Sequence, residues 1–230
     1  MLILGIESAT ARVGCAIGGH EGVLASAHSA RPRRHAESLA PQIEFIAGQA
    51  GVRLSEIGVV AVDVGPGLYT GLRVGITTAI ALAQTLRIPM IGVSSLDLVA
   101  FSVAHTERMI VAAIDARRGE LFHATYRAVP GGVQRMTEPG VSTPADLRAD
   151  MMANSEEVLL VGDGAQHHHE EFDGVSGVEI ADASLAFPSA ESLVMLARAK
   201  VVREEFVRPD QIEPMYMRRP DAVAKWEATS

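Results

Sequence analysis

Apolar residues in this 230-residue chain fall into short unbroken runs separated by longer stretches with helical spacing. Residues 2–7, "LILGIE", are followed by "RVGCAIGG" and "GVLASAHSA" behind glycine-rich separators, and the three together predict successive strands. "HAESLAPQIEFIAGQAG" sets Leu39, Ile43, Phe45, Ile46 and Ala50 at helical intervals; Pro41 is tolerable in a first turn and Gly51 closes the helix. "IGVVAVDVG" is a continuous apolar run of the kind that forms a buried parallel strand. It leads through "VGPGLYTGLRVG" into a helix over about residues 71–86. "IPMIGVS" then predicts a strand and "SLDLVAFSVAH" a helix.

The second half repeats the order. "MIVAAIDARRG", "ELFHATYRAV" and "GVQRMTEPG" predict three strands, and "TPADLRADMMAN" a helix capped by Ser142 or Thr143. "EVLLVGDGA" predicts a strand ending in a glycine turn, and "PSAESLVMLARAKVVREEF" a closing helix with Pro188 near its start. The two halves share element order, not residue identity, and an α/β chain can produce such a repeat by chance. The repeat predicts an α/β chain with a duplicated two-lobe, actin- and Hsp70-like fold, each lobe a mixed sheet with helices. Residues 1–104 would form the N-terminal lobe and 105–205 the C-terminal lobe. From Asp210 the chain is punctuated by proline and loses periodicity, so residues 206–230 read as an arm lying on the body.

A chain of this length that is 48% hydrophobic buries a full core. A formal charge of −8 repels a phosphate backbone, so the chain as a whole is not built as a nucleic-acid grip. The single cysteine, Cys15, excludes an internal disulfide and a cysteine zinc cluster and suits a reducing compartment. Without a basic leader, and with no run of the roughly 18–20 apolar residues that a membrane span needs, the pattern predicts a cytoplasmic protein with no membrane contact.

Glu7, Asp63 and Asp115 each end an apolar strand, where α/β sheets face their ligand crevice. Such carboxylates would hold magnesium through water in a nucleotide-binding protein. They are also what any strand leaving the core shows, and Asp63 is placed to brace the glycine turn that follows it. His35 opens a helix, but Leu39 stands one turn on, where a metal pair needs its second ligand. The cluster "HHHEE", His167–Glu171, reads as a solvated loop.

The glycine turn fits neither named phosphate motif: Gly67 and Gly71 are four apart, and no lysine follows. Gly71, Gly75, Ala79 and Ala83 recur every fourth residue and form a stripe almost free of side chain. Glycine inside a helix costs about 0.5–1 kcal/mol relative to alanine, so the stripe needs a packing reason. That reason is either a tight contact within the chain or a seam with a partner. On the second reading a bulky residue at Gly75 breaks association and leaves the chain folded. The tail residues Arg208, Arg218, Arg219 and Lys225 form a modest basic patch, either a solvated arm or a contact for RNA.

"LGIESAT", "HAESLAP", "GPGLYTGLRVG", "IPMIGVSSLDLVA", "DARRGELF", "GDGA" and "PMYMRRPDA" occur in the order of the TsaB (YeaZ) family, which the chain resembles from Leu2 to Ala222. The resemblance implies the two-lobe ASKHA fold. It also implies a non-catalytic role beside TsaD, which transfers threonylcarbamoyl to the adenosine at position 37 of tRNAs reading ANN codons. The ATPase TsaE would join, tRNA would be reached through the complex, and ATP or ADP with magnesium would bind, if at all, at the level of the complex. TsaD-type proteins hold metal partly through a helical histidine pair, for which this chain has His35 and Leu39. The resemblance places the partner interface on His35, Leu39, Ile43, Gly71, Gly75, Ala79 and Ala83, with a homodimer when TsaD is absent. The chain departs from the family at Glu7, where aspartate is common, and at Leu68 and Tyr69, where serine and phenylalanine are common. The strand-end carboxylates leave an alternative: a nucleotide-dependent phosphotransferase or a glycoprotease-like enzyme of the same fold.

Overall fold

The computed structural model describes residues 1–30, 35–154 and 156–218, the side chain of His35 excepted. β1 (Leu2–Glu7), β2 (Val13–Gly19) and β3 (Gly22–Ser29) form an antiparallel meander. α1 (His35–Ala50) leads to β4 (Ile57–Gly65), which lies parallel to β1. α2 (Tyr69–Leu86) leads to β5 (Met90–Ser94), parallel to β4, and α3 (Ser95–Phe101) follows at once. The first sheet has the order β3-β2-β1-β4-β5.

β6 (Met109–Arg117), β7 (Glu120–Val129) and β8 (Gly132–Arg135) repeat the meander, and β9 (Gly140–Ser142) pairs with β7. α4 (Pro144–Ala153) precedes β10 (Val158–Val161), which lies parallel to β6. α5 (Asp163–His167) and α6 (His169–Phe172) lead to β11 (Val178–Ile180), parallel to β10, and α7 (Ala190–Val202) closes the series. The second sheet runs β8-β7-β6-β10-β11 from its meander edge, the order of the first sheet repeated. The duplication expected from element order thus holds at the level of strand order, and the chain has the two-lobe ASKHA fold.

Four differences from the sequence reading have local causes. β9 and β11 are three residues each, too short to show a period. The His167–Glu171 cluster is helical, in α5 and α6, because Phe172 is fully buried and ties α6 to the second sheet. α2 begins at Tyr69, two residues before the expected start. Pro188 precedes Ser189, whose hydroxyl accepts from Ser192 N as the cap of α7.

The helices are exchanged between the lobes. α1 and α2 cover one face of the first sheet through Leu39, Ile43, Ile46, Leu72, Ile76, Ala79 and Ala83. Its other face is covered by α7, whose Leu193, Val194 and Ala197 pack on Ile3, Ala16, Val59 and Ala61. α3, which follows the first sheet, places Leu96, Val99 and Ala100 on Ile110, Ala112 and Ala124 of the second. α4, α5 and α6 cover that sheet's remaining face with Leu147, Met151, Ala165 and Phe172.

A polar cluster pins α3 to the second sheet. Asp97 Oδ1 accepts from the buried Tyr126 hydroxyl at 2.9 Å and from Arg135 Nε and Nη2 at 3.1 and 2.6 Å. Asp97→Ala would leave a buried hydroxyl and a guanidinium without their acceptor. It is expected to lower stability by about 2 kcal/mol, discounted because the ion pair is partly exposed. Urea unfolding checks the figure, and a loss below about 0.5 kcal/mol would show that the cluster does not hold the lobes.

Candidate functional site

The strand ends expected to carry chemistry do converge. Glu7 ends β1, Asp63 lies near the end of β4, Asp115 near the end of β6, and Asp163 follows β10 and opens α5. Asp163, inside "GDGA", was not among the expected carboxylates, although a charged residue directly after a buried apolar run was the same signal that found the others.

Each carboxylate is engaged by the backbone of its own turn. Glu7 Oε1 accepts from Ala9 N at 2.8 Å, Asp63 Oδ1 from Gly65 N at 2.8 Å, and Asp115 Oδ1 from Arg117 N at 2.7 Å. All three reach two residues ahead, the geometry by which short acidic side chains brace a turn. Ser95 Oγ adds a 2.6 Å bond to Asp63 Oδ1, and Asp115 N donates to Asp163 Oδ1 at 3.0 Å. Asp63 Oδ2 is buried and finds no donor among the described residues.

Burial dominates their electrostatics. Desolvation, then the negative charge of Asp63, pushes the Glu7 carboxyl well above its ordinary range. Burial pushes Asp63 up to about 7 and Asp163 up to about 6, against hydrogen bonds that favour the ionised forms. Of these carboxyls, Asp63 is the one whose titration falls near neutrality. Among the described residues no three His, Cys, Asp or Glu side chains are arranged to hold a metal ion.

The glycine turn is filled by the chain itself. Leu68 N donates to the Ala9 carbonyl at 2.6 Å, and a Cβ on Gly67 would lie 2.2 Å from that oxygen. A Cβ on Gly71 would lie 2.1 Å from the Ser8 carbonyl oxygen, and one on Gly75 2.1 Å from Ser8 Oγ, which itself donates to Gly71 O at 2.8 Å. The β1–β2 turn therefore sits where a phosphate loop would hold its anion.

Six of the seven expected interface residues are buried within the chain's own core. Gly71, Gly75, Ala79 and Ala83 are buried against the first lobe's own strand and turn, and Leu39 and Ile43 belong to the same core. The His35 side chain lies outside the described residues. The outward faces of the two helices carry Ala40, Pro41 and Phe45 on α1, the last 57% exposed, and Arg73, Thr77 and Ala81 on α2.

Beyond α7 the described part of the chain, which ends at Arg218, runs along the body. Val207 bridges to Met90, Met215 N donates to Val64 O at 2.7 Å, and Arg218 donates to Ala116 O at 3.1 Å and pairs with Glu120. It thus straps the first lobe to the β6–β7 turn of the second. Arg219 and Lys225 lie outside the described residues.

A family model, TsaD: tRNA N6-adenosine threonylcarbamoyltransferase, matches residues 24–226. The tRNA threonylcarbamoyladenosine biosynthesis protein TsaB of Escherichia coli is 31% identical over 221 residues, which cover 95% of each chain. The chain belongs to the TsaB family. The TsaB of Bacillus subtilis is 27% identical over 98% of both chains. Among TsaB-like solved structures, YeaZ from Pseudomonas aeruginosa superposes with a TM-score of 0.82 at 28% identity, covering 94% of this chain and 99% of that one. A second Pseudomonas aeruginosa structure, described as similar to peptidase YEAZ, matches with the same TM-score at 26% identity. Burial and then Glu191 push the Cys15 thiol up to about 12. No helix among the described residues is long and apolar enough to cross a membrane.

Proposed function

We propose that the chain acts in tRNA threonylcarbamoyladenosine biosynthesis as the non-catalytic partner of a TsaD-type subunit. The observation that carries this reading is the glycine turn: the backbone of Ser8 and Ala9 fills the space, and takes the Leu68 amide, that a phosphate would need. The strand-end carboxylates brace their own turns. On this reading the outward faces of α1 and α2 meet TsaD around Phe45, and pair two copies of this chain when TsaD is absent. TsaE and tRNA join the assembled pair, and ATP or ADP with magnesium belongs to that assembly. The cytoplasm is the compartment that this role requires.

The test is co-purification with TsaD from the same organism, followed by threonylcarbamoylation of tRNA by each protein alone and by both. Activity is expected only from the pair; ATP hydrolysis or tRNA modification by this chain alone would overturn the reading. Phe45→Asp is expected to keep the fold and to weaken association with TsaD by roughly tenfold or more, the usual cost of removing an aromatic anchor from an interface core. Unchanged association would move the interface off α1.

A further inference from the structure

Arginine and aromatic side chains gather around a cleft of about 380 Å3, bounded by residues 67–70, the β6–β7 turn and the strap at 215–218. The Tyr69 and Tyr216 rings stand 5.1 Å apart at an interplanar angle of 36°, and both are partly exposed. The Arg73 guanidinium lies 5.2 Å above the Tyr69 ring and donates to its hydroxyl at 2.9 Å. Arg117, Arg118 and Arg218 line the cleft across from this pair. Asp115 pairs with Arg117, and Glu120 with Arg218.

The turn that presents two of these arginines is built against local preference. Arg117 and Arg118 have φ of 62° and 59°, followed by Gly119 at 74°. Arg117 pairs with Glu120, which makes Arg118 and Gly119 a two-residue hairpin loop with both residues left-handed. Asparagine or glycine suits the first of these positions, and side chains with a long stem carry strain there. Strained backbone concentrates where a side chain must be aimed.

We propose that this cleft binds one nucleotide unit of single-stranded RNA, its base stacked on Tyr69 and Tyr216 and its phosphate held by Arg117, Arg118 and Arg218. Stacking faces next to arginine forks are how unpaired bases and their phosphates are recognised together. The volume is at the low end of small-ligand sites, about 300–1,000 Å3, which suits one nucleotide and not a longer run. This inference rests on the proposed role in tRNA modification, in which RNA reaches the complex, and assigns this chain a direct share in holding it.

The probe is a fluorescently labelled single-stranded heptanucleotide, titrated with the full-length chain by anisotropy at several KCl concentrations, with AMP as competitor. Wild type is expected to bind with an affinity that falls as salt rises. Tyr216→Ala is expected to weaken binding roughly five- to hundredfold. Arg118→Gly places at the left-handed position the residue that suits it; it should keep the melting temperature while making the slope of log K against log salt shallower by about 0.7. If both variants bind RNA as wild type does, the proposal is wrong. If AMP competes at concentrations equal to the RNA's Kd, the cleft belongs to a free nucleotide, and the RNA assignment is again wrong. Size-exclusion of each variant with TsaD separates this from the partner reading: variants that still form the pair but lose RNA support the site, and a wild-type chain that never pairs defeats only the partner role.

Discussion

Gly71→Ala is expected to destabilise the chain by about 3 kcal/mol, although alanine is the better helix former by about 1 kcal/mol. The added methyl would lie 2.1 Å from the Ser8 carbonyl oxygen, which is backbone directly after a strand buried from Ile3 to Glu7 and cannot swing away. Moving α2 outward instead would break the Ser8 Oγ bond to Gly71 O and open the core beneath Leu72 and Ile76. Gly48 in α1 is the matched control, since a Cβ there has nothing within 4 Å. Gly48→Ala should stabilise by about 0.5–1 kcal/mol. Urea unfolding of the two variants therefore gives opposite signs; a neutral Gly71→Ala would show that α2 is not seated on the β1–β2 turn. The same geometry reverses the expectation for Gly75→Arg: the chain itself is expected to unfold, and loss of partner binding by that variant would say nothing about the interface.

Asp63→Asn should make the protein more stable at pH 8, by about 2–4 kcal/mol, and leave it unchanged near pH 4. The folded chain raises the Asp63 pKa from 3.8 to about 7, so it binds the proton more tightly than the unfolded chain. The stability linked to that proton is fully present below about pH 4, falls as pH rises towards 7, and is level above, each unit corresponding to about 1.36 kcal/mol. Asparagine keeps an oxygen for Gly65 N and Ser95 Oγ and carries no charge to desolvate. Stability measured at pH 4, 6 and 8 should thus slope downward for wild type and much less for the variant, whose residual slope belongs to Glu7 and Asp163. A wild-type curve that rises with pH over this range would show that Asp63 is ionised in the folded state.

Much of the architecture was legible because its strands are unbroken apolar runs closed by a charged residue or a glycine. β1, β4 and β6 were readable for that reason, and so were three of the four carboxylates. The strands β9 and β11 were too short to show a period, and no local pattern says that α3 and α7 trade sheets. The stripe from Gly71 to Ala83 announced a close contact correctly. Spacing alone does not distinguish a neighbour in the same chain from one in another, and the Ser8–Ala9 turn that fills the space lies sixty residues away in sequence. "DARRGE" marked the family, but the left-handed arginines were invisible in it, since arginine is not a residue from which positive φ is inferred.

The exchange of helices also sets an order of events on the ribosome. β1, β2 and β4 are made first, yet the face formed by Ile3, Ala16, Val59 and Ala61 stays uncovered until Leu193, Val194 and Ala197 have been made and have left the exit tunnel. At about 5–20 residues per second, that leaves an apolar sheet face exposed for roughly 7–27 s in every round of synthesis. The nascent chain gains its full fold only when its last long helix arrives.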